Sequence, residues 1–253
     1  MSLVDRFSVL GVHVSALTLD RAVHAICEWV TSRQRQYVCV TGVHGVMESH
    51  AARALRHIHN EAGLVTPDGM PLVWIGRHLG RDIGRVYGPD LMAAVCGAPQ
   101  ASHFRHYFYG GGPGVPELLS KRLRDRLPSL AVVGTLSPPF RALSHEEDEE
   151  VIRTINTAAP DIVWVGLSTP KQERWMADHR ARLDAPVLIG VGAAFDFHAG
   201  LKPQAPPWMQ RSGLEWLFRL ATEPRRLWRR YLRNNPMFMY HIALQLTGLR
   251  RYE

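Results

Sequence analysis

Short apolar runs alternate with amphipathic stretches along most of this chain. Phe7 to Val14 alternates with the period of a strand. Ala22, Val23, Ile26, Trp29 and Val30 fall on one face of a helix that Thr18 or Asp20 can cap. Tyr37–Thr41 is a β-rich run, and Met47, Ala51, Ala54, Leu55 and Ile58 mark one further helix. Gly63–Val65 predicts a strand end and Met70–His78 a helix. Behind the turn Tyr87-Gly88-Pro89-Asp90, Leu91–Cys96 is helical again.

The alternation then repeats. Strands are predicted over His106–Tyr109, Ala131–Val133, Asp161–Val165 and Val187–Val191. Between them fall helices over Glu117–Leu127, from the capping-box pair Ser144 and Glu147 to Thr157, and over Gln172–Arg182. This pattern predicts an α/β fold, Rossmann-like, with a largely parallel central sheet flanked by helices. After about Gly200 the pattern is helical only. Trp208, Trp216, Leu217, Leu227, Trp228 and Leu232 supply apolar bulk there, and Arg219, Arg225, Arg226, Arg229, Arg230 and Arg233 supply charge. Pro236 reads as the start of an apolar segment, Met237–Leu249. The expected organisation is an α/β domain over residues 1–200 and a helical, arginine-rich appendage over 201–253.

Composition sharpens this reading. With 253 residues, 46% hydrophobic and 21% charged, the chain can bury a sizeable core. A net charge of +7 implies an anionic partner: nucleic acid, an acidic lipid surface or a phosphorylated substrate. Cys27, Cys39 and Cys96 lack CxxC spacing, so buried, reduced thiols and a cytoplasmic protein are expected. The opening MSLVDRFSVLGVHV has no basic region leading into an apolar core, so no signal peptide is expected. No apolar run reaches the length of a membrane span, which leaves attachment from the side.

The candidate chemistry sits at strand-to-helix junctions. Asp68 is one carboxylate in the apolar run Val65–Trp74, with Pro67 before it and Gly69 after it. Side chains at the carboxyl ends of parallel strands converge on one edge, where a base can work, but a cap for the next helix fits Asp68 as well. Thr41 also ends a strand, where its hydroxyl can bind a phosphate or sugar or cap the following helix. The cluster Gly110, Gly111, Gly112, Pro113, Gly114 follows a strand and precedes a helix, so it is either a phosphate-binding turn or a tight turn without a ligand. Lys171 and Gln172 form a polar cluster after another strand, able to hold a nucleotide or sugar. Asp196, between Phe195 and Phe197, is read as a structural carboxylate, and the histidines as scattered. No metal-ligand spacing is present, so no metal and no cofactor are expected. The C-terminal arginines, interleaved with aromatics, suit nucleic acid or an anionic membrane, and Met237–Leu249 favours the membrane.

Taken in order, TPDGMPLVW, RVYGPDLM, YFYGGGPGVPE, VGLSTPKQERWM, GVGAAFDFHAG and APPWMQRSGLEWLFRLATEPRRLWRRY resemble the WecG/TagA/CpsF family of bacterial glycosyltransferases. The resemblance implies inverting, metal-independent transfer of a hexose from a UDP-sugar donor to a polyprenyl-pyrophosphate-linked saccharide in surface polysaccharide or exopolysaccharide biosynthesis. N-acetylmannosamine and related hexoses or uronic acids are all open as the donor sugar. It further implies that Asp68 is the general base and Thr41 a second catalytic residue, that Arg85 and Gln172 bind substrate, and that Arg219, Arg226, Arg229 and Arg230, in an appendage closing over the site at the inner face of the cell membrane, bind substrate as well. The family often carries Asn where Val43 stands, and RAP where Gln204-Ala205-Pro206 stands. A basic nucleic-acid-binding protein and a non-catalytic nucleotide-sugar binder are the other readings. The preferred reading expects no nucleic acid among the partners, and it leaves a homo-oligomer open.

Overall fold

The computed structural model describes residues 4–252. Met1–Leu3, which open the segment read for a signal peptide, and Glu253 lie outside the described residues.

The chain begins with β1 (Arg6–Val9), β2 (Val12–Ser15), α1 (Leu19–Thr31) and β3 (Gln36–Thr41). It continues through α2 (Val43–Ala51), α3 (Arg53–Glu61), β4 (Leu64–Pro67), α4 (Met70–His78) and α5 (Gly88–Gly97). Next come β5 (Arg105–Gly110), α6 (Val115–Arg126), β6 (Ala131–Leu136), α7 (His145–Thr157), β7 (Ile162–Gly166) and α8 (Lys171–His179). The last elements are β8 (Val187–Gly190), α9 (Ala194–His198), α10 (Pro207–Arg211), α11 (Glu215–Thr222) and α12 (Pro224–Leu246). Six strands form one sheet in the order β4-β3-β8-β7-β5-β6, and the pairs β3–β8, β8–β7, β7–β5 and β5–β6 are parallel. The α/β class, the parallel sheet and the helical C-terminal part agree with the periodicity.

Three local expectations are corrected. Phe7 to Val14 is not one strand but an antiparallel hairpin, β1 against β2, turning at Leu10 and Gly11, both with positive φ. Two successive left-handed residues make the turn whose twist suits a hairpin, and a buried leucine at the first of them hides it in the sequence. The helix expected across Met47–Ile58 is two helices, because Ala52 is extended (φ −132, ψ 103) and ends α2 while it caps α3. Pro236 does not open a segment. It lies inside α12, which continues through it.

The chain divides into two compact units that do not follow chain order. One holds the chain up to Thr18, the stretch Val40–Tyr87 and everything from Pro203 on; the other holds Leu19–Cys39 and Gly88–Lys202. In the second unit, β7 and β8 are buried on both faces, which is why they read as unbroken apolar runs. Trp164, Tyr107, Phe108 and Phe195 fill its core. The capping box of α7 is formed, with Glu147 N donating to Ser144 Oγ at 3.2 Å and Ser144 N donating back to Glu147 Oε2 at 2.8 Å. In the first unit, Val9, Leu10, Val12, Leu17, Leu55, Leu64 and Leu72 form the core. α12 packs on α2, burying Leu227, Phe238 and Ile242. Near its end, Gln245 accepts from Leu10 N at 2.8 Å and donates to Ser8 O at 2.7 Å, tying the helix to the hairpin. The three cysteines are free thiols and buried. No helix among the described residues is long and apolar enough to cross a membrane.

Candidate active site

Two strand ends build the site in the first unit. Thr41 is the last residue of β3, and Asp68 follows the last residue of β4. The Asp68 amide donates to the Thr41 carbonyl at 3.0 Å, which fixes the two junctions against each other. Neither residue occupies an N-cap position. Gly69 is the N-cap of α4 and Gly42 that of α2, and neither helix has a side-chain cap bond. A Cβ on Gly42 would stand 3.8 Å from Asp68 Oδ2, an ordinary contact, so the start of α2 lies beside the carboxylate.

Thr41 is held from two sides. Its Oγ1 shares a hydrogen bond of 3.0 Å with His59 Nε2, and His59 Nδ1 lies 3.0 Å from Ser49 Oγ and 3.1 Å from the Leu55 carbonyl. All three side chains are buried. On the methyl side, a Cβ on Gly45 would come within 2.9 Å of Thr41 Cγ2, so only glycine fits there without displacement. Nothing in the sequence singles out His59, which reads there as one of several histidines on a polar helix.

Arg85 is bound on every side. Nε donates to the main-chain oxygen of Asp68 at 2.7 Å, Nη1 donates to Gln210 Oε1 at 2.9 Å, and Nη2 is ion-paired with Glu215. The guanidinium carbon stands 4.0 Å from the centroid of the Tyr87 ring. Burial pushes the Tyr87 phenol well up, Glu215 and Asp68 add to the shift, and Arg85 and Arg219 oppose it. Glu215 and Gln210 belong to motifs visible in the sequence, but nothing local marks them as partners of an arginine more than a hundred residues away.

Asp68 and Arg85, with its partners Gln210 and Glu215, line a cavity of about 470 Å³; Thr41, His59 and Tyr87 lie outside its lining. Gly42, Val43, His44, Asp68, Arg85 and Glu215 form one part of its wall, and Arg219, Arg230, Asn234 and Asn235 another. Met70, Pro71, Trp74, Leu214, Trp216, Phe238 and Met239 give it an extended apolar wall. Between α10 and α11 the backbone passes over Trp74 at Gly213, whose φ is +71 and whose Cβ, if present, would meet the indole at 2.6 Å. Burial lowers the Arg230 guanidinium from its ordinary range, Tyr231 opposes this, and neighbouring Arg219 and Arg226 add to it. Two arginines held near each other in a partly enclosed wall suit an anionic group. The other two expected arginines are not in the wall. Arg226 pairs with Glu223 at 2.6 Å, and Arg229 lies over the Trp228 ring at 5.2 Å.

The remaining candidates lie in the second unit. Gly110 (φ +124) meets the backbone of Gly166, where a Cβ would come within 2.6 Å of the carbonyl carbon. Gly111 N donates to Gly166 O at 3.0 Å, and Gly112 has open surroundings by comparison, its nearest neighbour 3.6 Å away. Backbone packing thus gives Gly110 a reason of its own. Lys171 opens α8 and is exposed, while Gln172 is 2% exposed. Gln172 Nε2 donates to Glu173 Oε1 at 3.1 Å, and its Oε1 has no hydrogen-bond partner. That oxygen is 3.4 Å from where a Cβ on Gly192 would stand, in the turn after β8. Asp196 pairs with Lys202 at 2.8 Å. Among the described residues no group of three or more His, Cys, Asp or Glu is placed to hold a metal ion.

A parallel α/β sheet with a strand-end carboxylate, arginines and apolar side chains lining one cavity is the architecture that the chain presents. The chain belongs to the glycosyl transferase WecG/TagA/CpsF family, whose model matches residues 7–252. It is similar to the N-acetylglucosaminyldiphosphoundecaprenol N-acetyl-beta-D-mannosaminyltransferases of Staphylococcus aureus strains NCTC 8325 / PS 47, COL and MRSA252. Each is 25% identical over 241 residues, covering 94% of this chain and 92% of the relative.

Proposed function

We propose that this protein is an inverting hexosyltransferase that moves a sugar from a UDP-sugar donor to a polyprenyl-diphosphate-linked saccharide, with Asp68 as the general base. The observation that carries this reading is the cavity: the strand-end carboxylate of Asp68 lines it together with Arg219, Arg230 and a set of apolar side chains. A lipid diphosphate needs both kinds of wall, cations for the diphosphate and apolar contact for the first part of its chain. The acceptor class is the one named in the Staphylococcus aureus relatives, and N-acetylmannosamine or a related hexose or uronic acid is the sugar moved.

In this mechanism Asp68 takes the proton of the acceptor hydroxyl as that oxygen forms its bond to the anomeric carbon. The bond from that carbon to the diphosphate oxygen of UDP breaks, and UDP leaves with the electron pair. A positioned base contributes about 10²- to 10⁴-fold. The charge on the leaving diphosphate is met by arginine side chains and helix-start amides, without a metal ion. Thr41 holds its place beside the base. Gly110, Gly111, Gly112, Lys171 and Gln172 are assigned to the donor, and Arg226 and Arg229 to the membrane surface together with exposed Trp208, Trp228, Leu232 and Met239. Residues 201–253 act as the membrane-associating part, on the inner face of the cell membrane.

The test is Asp68→Asn. UDP release in the presence of a lipid-diphosphate-linked sugar should fall by about 10²-fold or more, while UDP-sugar binding persists. Transfer at the wild-type rate in that variant would refute the assignment. Flotation with vesicles should need anionic lipid; tight binding to duplex or single-stranded nucleic acid without flotation would favour a nucleic-acid-binding protein instead.

A further inference from the structure

Arg85 is the residue a phosphate would be expected to find at such a site, yet its donors already have other work. One is held by the Asp68 carbonyl, one by Gln210 and one by the Glu215 carboxylate, and Tyr87 covers a face of the guanidinium. The side chains of Arg85 and Glu215 are 15% and 16% exposed, so solvent screens the pair little. A guanidinium paired in this way brings no net charge to a substrate. To serve a phosphate it would have to give up Glu215 first, leaving a half-buried carboxylate alone.

The same contacts have a second consequence. Gln210 lies in α10 and Glu215 opens α11, while the Asp68 carbonyl lies in the turn between β4 and α4. Arg85 is therefore a bridge: it reaches the C-terminal helices with two nitrogens and the turn bearing the carboxylate with the third. The packing of Gly213 over Trp74 puts the backbone between those two helices against α4, the helix that begins just after Asp68. One link thus reaches the turn itself and the other the helix that follows it.

The geometry points to Glu215 and Gln210 as positioning residues for Asp68: by fixing Arg85 they set the turn that carries the carboxylate, so the base is aligned only while α10 and α11 are docked. This rests on the reading of Asp68 as the base. Glu215 touches neither donor nor acceptor in this assignment; it acts through Arg85. The role explains why the carboxylate of Glu215 stands in a cavity otherwise suited to anions. It gives Arg85 a task different from the substrate binding that the family resemblance implies.

The experiment is steady-state transfer by Glu215→Gln, which keeps the length and one oxygen of the side chain and removes its charge. The expected result is a kcat lower by about 10- to 100-fold, the scale of a slight misplacement of a reacting group, with KM for the UDP-sugar within about 3-fold of wild type. Gln210→Met, which removes the bond to Nη1 and the bond that Nε2 donates to the Ala205 carbonyl while leaving the Glu215 ion pair in place, should show the same split to a smaller degree and guards against a folding defect in the first variant. The deciding arm is the double variant Asp68→Asn/Glu215→Gln. If Glu215 acts through Asp68, the second substitution adds no more than about 2-fold to the loss caused by the first. Independent, multiplying losses would overturn the proposal. So would a raised KM at unchanged kcat, which would make Arg85 a substrate ligand. Should Asp68→Asn alone retain full transfer, the base assignment fails, a result separate from the kcat and KM split of Glu215→Gln.

Discussion

Thr41 Oγ1 lies 3.0 Å from Nε2 of His59, and the two side chains are 1% and 0% exposed. A polar pair this deep is expensive to break, because a buried hydroxyl that loses a partner cannot turn to water. His59 also meets Ser49 Oγ and the Leu55 carbonyl, so it joins α2, α3 and the end of β3. His59→Phe removes all three contacts and should lower unfolding free energy by about 2–4 kcal/mol, from penalties of about 1–3 kcal/mol for each stranded group. Thr41→Val keeps the shape packed against Gly45 and strands one group, His59 Nε2, so it should cost less, about 1–2 kcal/mol. Urea titrations of the two variants check the order. If His59→Phe unfolds at the wild-type midpoint, the histidine does not hold the threonine.

The glycines after β5 offer a test of packing against binding. Gly110 is in the left-handed half of φ and faces backbone, where nothing can yield. Gly110→Ala should destabilise the protein by about 3 kcal/mol or more, whatever binds there. Gly112 has ordinary φ and its added Cβ would find only van der Waals contacts at 3.6 and 3.9 Å, to Val115 and Phe140. Gly112→Ala should fold normally, within about 1 kcal/mol of wild type, and lose affinity for the UDP-sugar if that turn approaches the donor. Calorimetric unfolding and donor titration on both variants separate the two roles.

These positions show what a linear reading can reach. Asp68 and Thr41 are visible because a junction between a strand and a helix is a local pattern, and the span of α7 from Ser144 to Thr157 is legible because a capping box is local too. The hairpin at Leu10-Gly11 is hidden because a buried leucine with φ of 52 carries no turn signal. Helix α12 runs through Pro236 because packing of Phe238 and Ile242 continues past it, which outweighs the lost amide. The ion pair of Arg85 with Glu215 joins residues 130 apart, and only tertiary structure brings them together. Arg226 and Arg229 are equivalent to Arg219 and Arg230 in the sequence, and the direction each takes from its helix decides which pair lines the cavity.

His106 supplies a pH dependence. It is fully buried, its Nδ1 accepts from Trp164 Nε1 at 3.1 Å, and its Nε2 has no partner. Burial pushes its pKa down to about 4, with Asp161 opposing. In the unfolded chain the same ring takes a proton near 6.5. Between these values the unfolded state binds more protons, so stability present above pH 6.5 is lost as pH falls towards 4. The full loss is about 3 kcal/mol, from about 1.4 kcal/mol for each tenfold difference in proton affinity between the folded and unfolded chain. His106→Asn, which keeps an acceptor for Trp164, should be less stable at neutral pH but lose less on acidification. Denaturant midpoints at about pH 7 and about pH 4.5, on either side of most of this transition, provide the comparison, and equal acid sensitivity in both proteins would remove His106 as the cause.

Gln172 separates a structural amide from a binding one. Its Nε2 makes one bond of 3.1 Å to Glu173, and Glu173 Oε1 also accepts from Thr169 Oγ1 at 2.8 Å, so Glu173 does not depend on it. Its Oε1 is buried without a hydrogen bond and already bears the penalty of desolvation. Gln172→Met fills similar space and removes that unpaired oxygen together with one long bond. The two effects oppose each other, and stability should change by less than about 1 kcal/mol. Binding should respond differently. An acceptor held against the glycine turn after β8 is suited to a donor group on the sugar nucleotide, and losing that bond should weaken UDP-sugar binding by about 10-fold, the equivalent of about 1.4 kcal/mol. Isothermal titration with the UDP-sugar, beside a thermal melt of the free protein, distinguishes the outcomes. A large drop in melting temperature with unchanged affinity would make Gln172 part of the packing and leave the donor to other residues.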